Sequence, residues 1–270
     1  MKDLRVAAVQ MISGPEVSAN LATAARLIAE ASAQGAQLVA LPEYFPLIGA
    51  TDADRLAARE RNGAGPIQDF LAETAQRHGV WLIGGSIPTF AVDPAKLHNT
   101  CLVFDAAGRQ VARYDKIHLF GFQNSEERYD EAAAIEAGDM PTAFDTPWGR
   151  VGLGICYDLR FPELFRCLGD MDLLILPAAF TDTTGRAHWE LLLRARAVEN
   201  QCYVVAAAQG GQHPNGRVTH GNSMIVDPWG DILARLLKGE GVASAELSST
   251  RLAEVRTSLP ALQHRTLKAS

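Results

Sequence analysis

LVALPEYF at residues 38–45 returns as LLILPAAF at residues 173–180, and this pair decides how the chain is read. Both are apolar runs closed by proline, as expected of strands covered on both faces that end in a loop. Around them the same order repeats. RVAAVQM at Arg5 and RVGLGIC at Arg150 open the two units, and CLVFDAAGRQVAR from Cys101 is matched by SMIVDPWGDILAR from Ser223. In that last pair Asp105, Gly108, Ala112 and Arg113 recur 122 positions later as Asp227, Gly230, Ala234 and Arg235. Each segment reads as a hairpin turning at its glycine. Apolar strands look alike by chance, but ordered agreement of several segments points to two similar βα halves.

Further apolar runs, at residues 6–11, 80–87, 151–156 and 203–208, alternate with helical patterns. Residues 17–33 place Leu21, Ala25, Ile28 and Ala29 on one stripe, and Gly35 follows where a helix stops. Residues 66–78 start with proline and end before Gly79, while Trp189, Leu192, Leu193 and Arg196 mark a helix over 188–200. Halves of this kind, packed sheet against sheet with helices outside, give an α/β fold: a four-layer α-β-β-α sandwich with two pseudo-symmetric halves. The glycine- and proline-containing stretches at 61–66 and 210–216 are loop-sized, so residues 1–270 are expected to form one domain.

An apolar fraction of 47% in 270 residues supports a large core without staples. The net charge of -6 gives no footprint for a polyanion, so a small-molecule partner is expected rather than nucleic acid or an anionic membrane. Residues 1–16 lack the basic flank and long apolar core of a signal peptide, and no apolar run approaches the ~20 residues that span a bilayer. A soluble, cytoplasmic protein is the expectation. Cys101, Cys156, Cys167 and Cys202 show no CxxC spacing, so neither a zinc site nor a redox pair is suggested and reduced thiols follow.

Reactive or charged groups at the ends of buried strands are costly and mark the places to look for chemistry. Glu43 ends the first such run, where the second half has Ala178, so the fold tolerates alanine there. A carboxylate in a nonpolar setting has the raised pKa of a general base, although a partly solvated loop glutamate would read the same way. Cys156 ends VGLGIC and the chain then turns into a helix near Pro162, the layout of a nucleophile elbow, where backbone N–H groups favour the thiolate. Cys101, Cys167 and Cys202 are read as core residues. Lys116, in ARYDKIHLF, is either a surface charge or a stabiliser of an oxyanion. His118 is read as a structural hydrogen-bonding residue, and His213 and His220 as solvated or hydrogen-bonded rather than as metal ligands.

LPEYF around Glu43, YDKIHLF around Lys116 and GLGICYDLRFPEL around Cys156, in that order, resemble the three catalytic blocks of the nitrilase superfamily. The likeness covers nearly the whole chain, since AFTDTTGRAHWELLLRARAVENQCYVVAAAQ, GNSMIVDPWG and LPALQHR are similar to its amidase branch. It implies Glu43 as general base and acid, Lys116 as oxyanion stabiliser, Cys156 as nucleophile, and no metal or organic cofactor. It also implies a second glutamate beside Lys116. Of Glu126, Glu127, Glu131 and Glu136, Glu131 fits best by its distance to Gly138 and the preceding Tyr129. The backbone N–H of Tyr157 is expected to share the oxyanion, and Arg160 to grip a substrate carboxylate unless it is a salt bridge under the elbow. Phe180 and Thr181 are expected to line the pocket. Within the branch the likeness implies hydrolysis of deaminated glutathione, or alternatively of 2-oxoglutaramate, ahead of a nitrile hydrolase or a scaffold without chemistry. The final segment, 248–270, carries a capping Ser/Thr cluster and a helical pattern of Leu252, Val255 and Arg256, and the resemblance implies a homodimer.

Overall fold

The computed structural model describes residues 1–125 and 127–267; Glu126 and the end of the 248–270 segment lie outside the described residues. The first half runs through β1 (Leu4–Gln10), α1 (Val17–Ala33), β2 (Leu38–Ala40), α2 (Asp52–Ala57), α3 (Pro66–His78), β3 (Trp81–Ile83), β4 (Ile87–Phe90), β5 (Leu97–Phe104) and β6 (Gln110–Asp115). A small hairpin follows, β7 (Gly121–Gln123) and β8 (Arg128–Asp130). The second half comprises β9 (Ala143–Asp145), β10 (Arg150–Leu153), α4 (Pro162–Cys167), β11 (Leu173–Ala178), α5 (Asp182–Asn200), β12 (Tyr203–Ala208), β13 (Ser223–Val226) and β14 (Ile232–Leu236). β15 (Gly241–Leu247) and α6 (Ser249–Ser258) come last.

The repeat seen in the sequence is visible in the topology. In one sheet β1, β2 and β3 run parallel and are continued by the antiparallel hairpin β5–β6; in the other β10, β11 and β12 are continued by β13–β14. Each sheet has an antiparallel strand on the outer side of its first parallel strand, β15 beside β1 and β9 beside β10.

Period-two alternation sorts the residues of β1 between two layers. Val6 and Ala8 join Leu38, Ala40 and Ile83 in a core shared with Val151, Leu153, Ile175 and Val205 of the second sheet. Ala7 and Val9 join Val39 and Leu82 beneath Ala24, Leu27 and Ile28 of α1 and Leu71 and Ala75 of α3. On the other side α5 packs on β12 and β13, and the two sheets meet through β1 and β12. Helices, sheet, sheet and helices thus follow one another in an α/β fold.

Three local readings shift. The buried stripe of α1 is Asn20, Ala24, Leu27, Ile28 and Ala31, so Leu21, Ala25 and Ala29 flank it rather than form it. The α5 helix starts six residues before His188, because Thr181 caps it by accepting from Thr184 N at 3.3 Å. The run at 80–87 is two strands, β3 and β4, on the same side of β5. Gly85, at φ 55°, breaks it: a Cβ there would sit 2.1 Å from the carbonyl oxygen of Pro42. This close approach lets the Ser86 hydroxyl accept from Tyr44 N at 3.0 Å and pins the loop that carries Glu43. Among the described residues no helix is long and apolar enough to cross a membrane.

Candidate active site

The loops that leave β2 and β11 meet at the ends of their strands. Glu43, only 1% exposed, lies in the first. Its Oε1 accepts from Lys116 Nζ and from Asn99 Nδ2, both at 2.9 Å, and its Oε2 accepts from Ala179 N at 2.9 Å. The carboxylate is buried, but the nonpolar setting expected for it is corrected: three donors surround it. These hydrogen bonds satisfy a carboxylate whose burial without partners would be costly.

Lys116 follows β6, is fully buried, and is therefore not the surface charge that the sequence left open. Its ammonium lies between Glu43 and Glu131, with Glu131 Oε2 at 2.8 Å. Burial would lower its pKa, but the two carboxylates outweigh this and hold it well above the ordinary lysine value. Glu131 is fixed by Tyr44 Oη at 2.9 Å and Phe120 N at 2.8 Å. Burial acts to raise its pKa, yet Lys116 and these donors bring it below the usual carboxylate value. The other described glutamates lie elsewhere: Glu127 accepts from Thr183 Oγ1 at 3.0 Å and Glu136 from Asp93 N at 2.8 Å.

Cys156 stands at φ 50°, a left-handed conformation that non-glycine residues rarely adopt. Strand β10 ends three residues earlier, and Cys156 opens a short 3-10 turn leading into α4. Asp158, fully buried, braces this turn. Its carboxylate accepts from Ile155 N at 2.8 Å, Tyr114 Oη at 2.7 Å, and both His118 N and His118 Nδ1, at 3.0 and 2.7 Å. His118 is structural, as read, and also stacks on Phe161 with ring centroids 3.8 Å apart. The expected thiolate character is corrected. Burial, and then the negative charge of Glu43, push the Cys156 thiol well above the ordinary value, with Lys116 and Ala179 N–H opposing. Burial likewise raises Cys101 and, to about 12, Cys202; Cys167 is exposed and is not the core residue expected.

Glu43, Glu131, Cys156, Tyr157, Arg160, Phe180 and Thr181 line one small cavity, with Phe120, Ala179 and Arg217. Arg160 Cζ lies 5.7 Å from the centroid of Tyr157 and 5.4 Å from that of Phe180, and its Nη1 is 3.2 Å from His188 Nδ1. It makes no ion pair among the described residues, so the salt bridge under the elbow is not found. Asn99, Asp158 and Arg217 escaped the sequence reading. Asn99 had a faint signal, a polar residue within the apolar β5; Arg217, in an irregular loop, had none. His213 and His220 lie outside this cavity, and both are buried. His213 meets Ser13 O and Thr219 Oγ1, each at 2.8 Å, and His220 Nε2 meets Asn222 Nδ2 at 3.1 Å.

A model of the family described as carbon-nitrogen hydrolase matches residues 5–257. A deaminated glutathione amidase of Synechocystis sp. is 44% identical over 98% of this chain and 99% of its own. The omega-amidase NIT2-A of Xenopus laevis is 41% identical over 98% and 96%. Among solved structures, Saccharomyces cerevisiae Nit3, described as a member of branch 10 of the nitrilase superfamily, superposes with a TM-score of 0.88. It is 32% identical and the match covers 98% of this chain and 97% of that one.

Proposed function

The chain belongs to the carbon-nitrogen hydrolase family, and so to the nitrilase superfamily, and is an amidase; on that premise we propose that it hydrolyses deaminated glutathione through a thioester on Cys156. The observation that carries this reading is the fully buried Lys116 ammonium, held at 2.9 Å from Glu43 and 2.8 Å from Glu131, two carboxylates that line the same cavity as Cys156.

Each group then has a task. Glu43 takes the thiol proton as Sγ attacks the amide carbonyl, which suits a thiol whose resting pKa is high. Lys116 and the Tyr157 N–H hold the oxyanion, an effect worth about 3 kcal/mol in comparable sites. Glu131 keeps Lys116 charged and in place. Protonated Glu43 gives its proton to the leaving amine, here cysteinylglycine. It next deprotonates the water that attacks the thioester, and 2-oxoglutarate leaves as the proton returns to the sulfur. Arg160, without a carboxylate partner among the described residues, holds the carboxylate of the acyl half against Phe180 and Thr181. The likeness to omega-amidase supports a second substrate with the same acyl half, 2-oxoglutaramate. A cytoplasmic homodimer belongs to the same reading, supported by exposed Leu191, Val198 and Trp229 on and beside α5.

The test compares 2-oxoglutarate release from the two amides at equal concentration. Preference for deaminated glutathione is expected, and strong preference for 2-oxoglutaramate would reverse the substrate assignment. Cys156→Ser should abolish both reactions with the fold intact; retained turnover would refute the thioester.

A further inference from the structure

Arg217 is the one lining residue of the catalytic cavity, besides Phe120 and Glu131, that also lines the groove outside it. That groove is bounded by Tyr44, Arg55, Tyr129 and Asn215, and it adjoins the cavity at Glu131. Arg217 comes from the loop between β12 and β13. Its guanidinium carbon lies 5.5 Å from the centroid of the Tyr129 ring, and its Nη2 donates to Ala179 O at 3.0 Å. Among the described residues, its buried Nε has no hydrogen-bond partner, and no carboxylate pairs with it. A guanidinium stacked on an aromatic face, anchored through one nitrogen and unsatisfied at another, is built to receive an acceptor.

The charges around the cavity point the same way. The two carboxylates, Glu43 and Glu131, face three cations, Lys116, Arg160 and Arg217, which leaves one net positive charge to attract an anionic ligand. The two arginines sit at different depths. Arg160 lines the inner cavity beside Tyr157 and Phe180, whereas Arg217 stands where cavity and groove join.

We propose that Arg217 binds a carboxylate on the leaving-amine half of the substrate, so that the enzyme selects amides whose departing amine is itself an acid. This rests on the amidase reading above and sharpens it. The acyl half fills the inner cavity against Arg160, and the leaving half extends past Arg217 into the groove. An amide that releases only ammonia leaves the second guanidinium unused.

The test uses the intact enzyme with deaminated glutathione and with its C-terminal carboxamide, which differs only in the charge at the far end of the leaving group. Wild type should favour the free acid by about 10- to 100-fold in kcat/KM, the range for a lost charge-assisted hydrogen bond. Arg217→Gln should bring that ratio close to one, and Arg217→Lys should retain part of it. A wild-type ratio near one, or a ratio unchanged in Arg217→Gln, overturns the proposal. Equal loss on both substrates with the ratio preserved also overturns it, since it assigns Arg217 only to holding the Ala179 carbonyl. If wild type cleaves 2-oxoglutaramate but neither dipeptide amide, this inference fails while the amidase reading stands; if it cleaves no amide, that reading fails first.

Discussion

Ala179 N donates to Glu43 Oε2 at 2.9 Å, and the two residues occupy neighbouring places in the repeat: Glu43 in the loop after β2, Ala179 in the loop after β11. One half of the molecule supplies the carboxylate and the other the peptide that orients it. The duplicated loops have diverged in chemistry while keeping their place in the fold.

Glu43→Gln removes the base and keeps the side chain's shape. Turnover should fall by about 10²- to 10⁴-fold, the usual contribution of a general base. The circular dichroism spectrum should be unchanged. Steady-state kinetics on either amide provide the check, and a loss of less than tenfold would remove Glu43 from its role.

Lys116→Met leaves two buried carboxylates facing each other without their cation. Breaking a buried pair in this way costs about 3–5 kcal/mol, so a urea melt should show a large loss of stability as well as of activity. Adding Glu131→Gln should recover part of the stability and none of the activity. No stability loss in the single variant would mean that the ammonium is not held between these carboxylates.

The Cys156 thiol, with its raised pKa, is protonated at rest near neutrality. Alkylation of Cys156 by iodoacetamide should therefore keep accelerating between pH 7 and 9. Exposed Cys167 must first be replaced by serine, because it would otherwise react whatever the site does. A plateau reached by pH 7, read by mass spectrometry of the labelled peptide, would show a resting thiolate instead.

Burial holds the imidazoles of His213 and His220 below the ordinary histidine value of about 6.5. Above that value both folded and unfolded chains carry them neutral. Below it the unfolded chain takes up protons that the fold does not, so stability should fall as the pH drops from about 7 toward 5. The midpoint temperature should decline over that interval, and less steeply in His213→Asn. A midpoint that rises on acidification would contradict the assignment.

Much of this is legible in the sequence. Strands buried on both faces announce themselves as apolar runs, and a duplicated order of strands and hairpins survives as repeated LxxLP and DxxG signatures. Lys116 and Cys156 stand in extended, specific blocks, whereas Glu131 is one of four candidate glutamates and is singled out only by its distance to Gly138 and the preceding Tyr129. The environment of Glu43 is not legible. Its three donors come from residues 99, 116 and 179, and no local pattern encodes a convergence of such distant segments. For the same reason the state of the thiol is not legible locally: the elbow's geometry favours a thiolate, while burial and the charge of Glu43, both tertiary, work against it. Arg217 was invisible because an arginine in an irregular loop is ordinarily a solvated one.

The antiparallel pairing of β15 with β1, Leu4 opposite Leu247 and Gln10 opposite Gly241, joins two strands far apart in the sequence. A polypeptide emerging from the ribosome makes β1 long before β15. Until the latter appears, one flank of the first sheet has no partner, and its row of bare amide and carbonyl groups is open to neighbouring nascent chains. Synthesis must pass Leu247 before that flank is sealed, so slow translation between β1 and β15 would lengthen the interval in which this protein is prone to aggregate.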